Sequence, residues 1–140
     1  MMEVYLNFKN EAAEAITFYE KVFETSTTNI MTFGDMPEDS EHPVSEEMKD
    51  LILNASMIIE GTYVMFSDVP DGMGQPLVKG NNVSLVVSTD DEAQIDRQFG
   101  LLAEEGTVTM PLGPTFWTKK YGMVTDKFGT NWMFSYYKEG

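Results

Sequence analysis

The chain contains no cysteine, which removes disulfides, thiolate metal sites and cysteine nucleophiles together. It has a single histidine, His42, so an imidazole-rich metal centre or a serine–histidine–aspartate relay has one imidazole to draw on. Positive charge is scarce as well. Nine Lys and Arg stand against 23 Asp and Glu, a net charge of -14 over 140 residues. Such acidity repels phosphate backbones and anionic headgroups, which argues against nucleic acid and membrane surfaces as partners. The chain has no apolar run near the roughly 20 residues that cross a bilayer. Its opening MMEVYLNFKN lacks a basic stretch followed by an apolar one, so a cytoplasmic protein is expected.

What is present describes a globular domain. Hydrophobic residues make up 42% and charged residues 23%, and the length suits one ordinary core. The acidity has two readings, a solubilising surface or a field that attracts a cationic ligand.

Strand-like and helix-like segments follow a regular order. EVYLNF alternates and reads as a strand. Asn10 is then expected to cap a helix whose apolar positions Ala12, Ala15, Ile16, Tyr19 and Phe23 recur at helical spacing. TTNIMTF predicts a second strand, and the acidic, proline-bearing GDMPEDSEHPVSEEMKD an exposed loop with one helical turn. LILNASMIIE and TYVMFSD predict two more strands joined by a hairpin at Glu60-Gly61.

After the connector VPDGMGQPLVKG the order repeats. NVSLVVS reads as a strand, Thr89 with Glu92 as a capping box, and DDEAQIDRQFGLLAEE as a helix ending at Gly106. TVTMPL, FWTKKYGMVTD and TNWMFSYY supply three further strands. Both halves are therefore βαβββ. GTYVMFS from Gly61 and GTNWMFS from Gly129 agree at five of seven letters and fall on the last strand of each half. Duplication accounts for the matching words and the matching element order together.

The stretches YLNF…EAAEAITFYEKVF, MIIEGTYVMFSD and TFWTKKYGMVTDKFGTNWMFSYY resemble the PhnB-like branch of the vicinal oxygen chelate superfamily. That superfamily includes the glyoxalases and bleomycin-resistance proteins. The resemblance implies an α+β fold: two βαβββ modules forming a curled mixed sheet around a central cavity, with helices on the convex side. Residues 1–140 would form one domain of two repeats, 3–68 and 81–138, joined by the connector 69–80. It further implies a homodimer. Some relatives are described as demethylubiquinone methyltransferases, yet the chain has no glycine-rich strand-to-helix loop for a methyl-donor nucleotide.

Strand alternation then assigns faces. Val64, Phe66, Trp132 and Phe134 should face the helices, while Tyr63, Met65, Ser67, Asn131, Met133 and Ser135 face the cavity. The resemblance places a divalent metal there, held by His, Glu or Gln from four strands. The acidic ligand position of the last strand is Met133 and its repeat is Met65. Thioethers are poor ligands for magnesium, manganese or zinc. Where histidines would stand, the first strand offers Tyr5 and Asn7, the fifth Asn82 and Ser84, and the third Asn54. His42 lies in the acidic loop. No metal and no cofactor is therefore expected.

Asp68 has two readings, a base or a turn-forming cap, whereas Asp126 opens the DKFG turn and reads as structural. Trp117 is either a stacking wall for a ligand or a core aromatic. Two classes of function remain open, with no catalytic residue assignable. One is a binder of a small molecule, cationic under the second reading of the charge, in a methionine- and aromatic-lined cavity. The other is an enzyme of unassigned reaction using Tyr5, Asn54 and Tyr121. A filled cavity in a dimerisation module is a third reading. The candidate ligand-binding residues are Tyr5, Asn7, Asn54, Tyr63, Met65, Ser84, Trp117, Tyr121, Met133 and Ser135.

Overall fold

In the first half of the chain, β1 (Val4–Phe8) leads to α1 (Ala12–Phe23), β2 (Asn29–Thr32), β3 (Ile52–Ile59) and β4 (Thr62–Asp68). In the second, β5 (Leu85–Thr89) leads to α2 (Glu92–Ala103), β6 (Thr107–Gly113), β7 (Tyr121–Thr125) and β8 (Asn131–Tyr136). The computed structural model describes residues 1–37, 43–72 and 74–138; His42 lies outside them. The chain forms two compact units, Met1–Val78 and Lys79–Gly140.

Each unit holds one four-stranded mixed sheet, ordered β1-β4-β3-β2 in the first and β5-β8-β7-β6 in the second. The first strand of each pairs in parallel with the last, and the other pairs are antiparallel. This is the α+β architecture of two βαβββ modules, and the sheets are not closed.

The helices form because an apolar stripe repeats at helical spacing and has a sheet to cover. In α1, Ala12, Ala15, Ile16, Tyr19, Val22 and Phe23 are all buried. Tyr19 meets Phe66 of β4 at a ring-centroid distance of 5.9 Å. In the second unit Phe99 of α2 meets Phe134 of β8 edge-on, also at 5.9 Å. Gly122 makes that approach possible, because a Cβ there would lie 3.0 Å from Cε2 of Phe99 and 2.8 Å from Cδ2 of Leu112.

The repeated GT words have a backbone cause. Gly61 at φ 83° and Gly129 at φ 89° both take left-handed turns that lead into the last strand. Glu60 is also left-handed, at φ 46°, which makes a two-residue hairpin turn between β3 and β4.

Four local expectations are corrected. Asn10 does not cap α1: it sits at φ 61°, and the N–H groups of Glu11 and Ala12 donate to Asp68 Oδ1 instead, each at 3.0 Å. The N-cap of α2 is Asp91, whose carboxylate accepts from the Gln94 N–H at 3.1 Å; Thr89 accepts from the Asp91 N–H at 3.2 Å. Residues 82–84 precede β5, so Ser84 stands outside the paired strand. Phe116 and Trp117 precede β7, in a turn closed by Thr115 N–H donating to the Thr118 carbonyl at 2.8 Å.

Candidate functional site

Each sheet has a helix-covered face and an open face. Val64, Phe66, Trp132 and Phe134 lie buried on the covered faces, as alternation predicts. Met65 and Met133 lie on the opposite, open faces, because a strand turns successive side chains to opposite sides.

On the open face of the first unit, register sets Tyr5 opposite Met65 and Asn7 opposite Ser67. Met65 also faces Ser56, and Tyr63 faces Ile58. Asn54 shares this face by alternation and stands opposite Met31 of β2. Ser56 is fully covered, exchanging a hydrogen bond of 3.1 Å with the Thr28 hydroxyl. A separate groove of about 510 Å³ opens where the connector passes the end of β1, lined by Asn7, Phe33, Leu53, Gln75, Pro76 and Leu77 among others.

On the open face of the second unit, Val86 stands opposite Met133, the place Tyr5 holds in the first. Met123 stands opposite Met133, and Tyr121 opposite Ser135. The Tyr121 hydroxyl donates to Met133 Sδ at 2.9 Å. Trp117 meets Tyr121 edge-on at 5.3 Å, and Phe116 meets Trp117 at 4.9 Å. Tyr121, Trp117, Met133 and Ser135 are thus brought together, while Ser84 is left off the strand. Val86, Met110 and Met123 belong to this face and were not among the sequence candidates; alternation through YGMVT would have flagged Met123 beside Tyr121.

The aromatic turn is held by hydrogen bonds on both sides. Thr115 Oγ1 accepts from the N–H groups of Trp117 and Thr118 at 3.3 and 3.1 Å. Thr118 Oγ1 donates to the Tyr136 carbonyl at 2.8 Å. Two lysines then tie the segment to α2. Lys119 pairs with Glu92 at 3.0 Å and Lys120 with Asp96 at 2.8 Å. The hydrogen bond from Lys119 holds the Glu92 carboxyl below its ordinary pKa, and Glu92 raises that of Lys119 in return. Lys120 is raised chiefly by its hydrogen bond to Asp96. With Trp117 still 57% exposed and Phe116 97% exposed, this is an ordered display of aromatic surface. The core reading of Trp117 is set aside.

The two buried aspartates serve structure. Asp68 accepts the Glu11 and Ala12 N–H groups through Oδ1 and the Ile52 N–H at 2.9 Å through Oδ2. Those three bonds use most of the carboxylate's about four acceptor sites and tie it to the start of α1 and of β3, which supports the capping reading. Asp126 accepts from the Phe128 and Thr130 N–H groups at 2.9 and 3.1 Å and from the Trp132 indole at 2.9 Å.

The acidic ligand positions that the resemblance implies carry Met65 and Met133, and their register partners are Tyr5 in the first unit and Val86 in the second, in place of the Asn82 and Ser84 expected of the fifth strand. Neither a thioether beside a phenol, in the first unit, nor a thioether beside an isopropyl group, in the second, supplies the oxygen and imidazole donors that a hard cation takes. Among the described residues there is also no group of three or more His, Asp or Glu placed to hold a metal. No helix among them is long and apolar enough to cross a membrane.

A family profile described as 3-demethylubiquinone-9 3-methyltransferase matches residues 2–135. Protein YjdN of Escherichia coli K12 is 30% identical over 142 residues, covering 96% of this chain and 94% of the relative. The crystal structure of protein PA1353 from Pseudomonas aeruginosa is 32% identical, with a TM-score of 0.82 and coverage of 99% and 100%. A Bacillus cereus structure described as a 3-demethylubiquinone-9 3-methyltransferase and PhnB protein is 26% identical, with a TM-score of 0.78 and coverage of 97% and 98%. Likeness of fold alone extends to the fosfomycin resistance protein FosX of Listeria monocytogenes, solved with Mn(II), at 10% identity, a TM-score of 0.64 and coverage of 99% and 90%.

A methyl-donor nucleotide does not fit the strand-to-helix turns of this chain. Neither the β1–α1 turn at residues 9–11 nor the β5–α2 turn at residues 90–91 contains glycine. The Glu11 and Ala12 N–H groups at the start of α1 are already bonded to Asp68, and the Gln94 N–H in the first turn of α2 to Asp91. On its sequence match and its two βαβββ sheets, the chain belongs to the family described as 3-demethylubiquinone-9 3-methyltransferase, the PhnB-like proteins of the vicinal oxygen chelate fold.

Proposed function

We propose that the protein is a glyoxalase-like binder of a small, positively charged, partly aromatic molecule, held on the open face of the second unit without a divalent metal. The observation that carries this reading is the register of Val86 with Met133, and of Tyr5 with Met65, where hard-cation ligands would be needed. Catalysis by metal polarisation of substrate oxygens has no donor set at these positions. What remains is Trp117, Tyr121, Met123 and Met133, an aromatic and thioether surface suited to stacking and dispersion contacts.

The charge supports a cationic ligand. A net charge of -14 raises the local concentration of cations, and an exposed indole holds a cation over its face by about 0.5–2 kcal/mol. The family resemblance further implies a homodimer, which light scattering at known concentration tests.

Ethidium is a suitable probe, being cationic and aromatic. Trp117 is 57% exposed whereas Trp132 is 2% exposed, so the probe should quench Trp117 emission. Binding should saturate and weaken with added salt, and Trp117→Ala should abolish it. Unsaturable quenching, or saturable binding unchanged by Trp117→Ala, would remove the second-unit face from consideration. Turnover that requires an added divalent metal would make the protein an enzyme instead.

A further inference from the structure

We propose that Met110, Met123 and Met133 form a soft-metal site for one monovalent cation, Cu(I), for which Ag(I) is the redox-stable probe. The three residues are successive register partners on β6, β7 and β8: Met110 opposite Met123, and Met123 opposite Met133. Register partners project from the same side of a sheet with Cβ atoms about 5 Å apart. A methionine side chain has three rotatable bonds, so three thioether sulfurs can converge over the central Met123.

A β-bulge brings the third sulfur into the row. Thr107 faces Thr125 and Val108 faces Val124, so unbroken pairing would set Thr109 opposite Met123. The register shifts between Val108 and Met110, and Met110 takes that place instead. Bulges re-aim side chains in this way. The first unit does not repeat the row, since Met65 has Tyr5 on one side and Ser56 on the other.

All three side chains keep some solvent exposure. Met133 Sδ already accepts a hydrogen bond from the Tyr121 hydroxyl at 2.9 Å, on the open face. Met110 is 42% exposed, and Met123 and Met133 are half-buried. With no cysteine and one histidine in the chain, methionine is its main soft donor. Thioether ligands select Cu(I) over the hard and borderline divalent ions. The acidic field draws in a cation of any kind, and the donors then choose the soft one.

The experiment titrates Ag(I) nitrate into the full chain in chloride-free buffer, read by calorimetry, native mass spectrometry and Trp emission. One Ag(I) should bind per chain and quench Trp117, whose ring lies 5.3 Å from that of Tyr121. Met123→Leu should weaken binding by at least about tenfold, the loss typical even of an outer partner of a metal site. The triple Leu variant, shown folded by circular dichroism, should lose it. Met31→Leu should bind as the parent does, because Met31 is exposed on β2 and faces Asn54. Undiminished stoichiometric binding by the triple variant, equal loss in Met31→Leu, or equally tight binding of Zn(II) would each overturn the site. Trp117→Ala separates the two readings, since it should lose ethidium binding and keep Ag(I) binding.

Discussion

Asp126 Oδ2 accepts a buried hydrogen bond of 2.9 Å from the Trp132 indole, tying the β7–β8 turn to the core of the second unit. Trp132 is 2% exposed on the helix-covered face, so its truncation removes packing and a hydrogen bond to the Asp126 carboxylate at once. Trp132→Ala should cost roughly 3–5 kcal/mol in urea denaturation, as a large core truncation does. Trp132→Phe keeps most of the packing and should cost less. A loss below about 1 kcal/mol for the alanine variant would mean that the indole does not anchor this core.

Asp68 plays a parallel part in the first unit, closing the N-terminus of α1 and the start of β3 with one carboxylate. Asp68→Ala strands three buried or part-buried N–H groups and should destabilise by roughly 2–4 kcal/mol. Ethidium binding by the folded fraction should not change. A variant of parental stability would return Asp68 to the list of candidate bases.

The element order, the covered faces and the hairpin at Glu60-Gly61 were legible in the sequence because they follow from periodicity and turn chemistry, which are local. The cap of α1 was not. Asn10 is the right residue type but stands two positions before the helix, and the cap comes from Asp68, at the end of β4. Nor could alternation reveal the bulge before Met110, since an inserted residue shifts the phase without marking the sequence. Phe116 and Trp117 have strand-forming chemistry, yet Thr115 and Thr118 close a turn around them. The site was half legible for the same reason. Tyr121 and Met133 were named from their strands, whereas Met110 needed the register.

The ion pair of Glu92 with Lys119 gives a weak pH dependence of known sign. The Glu92 pKa is lowered from 4.5, so its contribution is present at neutral pH and lost as pH falls through the folded value. The Lys119 and Lys120 pKa values are raised from 10.5, so theirs is present below that and lost in strong base. Lys119 is exposed and Glu92 and Lys120 are partly so, and solvent screening makes the effect small. Glu92→Gln should therefore lower thermal stability slightly at pH 7 in low salt, and the difference should vanish near pH 3 or at high ionic strength. A difference that survives in high salt would mean that Glu92 acts through packing.

The last prediction concerns the paired methionines at the superfamily's metal positions. Purified protein should bind Mn(II), Ni(II) and Zn(II) weakly, and dialysis against a chelator should leave its melting temperature unchanged, because linkage stabilisation needs a metal on the native state. Restoring two acids as Met65→Glu with Met133→Glu should still give no good site. Their register partners remain Tyr5 and Val86, neither of them an imidazole. At position 133 the new carboxylate would also replace the sulfur that accepts from Tyr121, beside Met123. Each glutamate adds charge to a chain already at -14, and partial burial raises the cost of ionising it. The double variant should therefore melt below the parent at pH 7 and recover part of the difference at pH 4–5, where the new acids take up protons. Stoichiometric, chelator-sensitive Mn(II) or Zn(II) in the parent protein would overturn the metal-free reading and make catalysis the leading account of this fold.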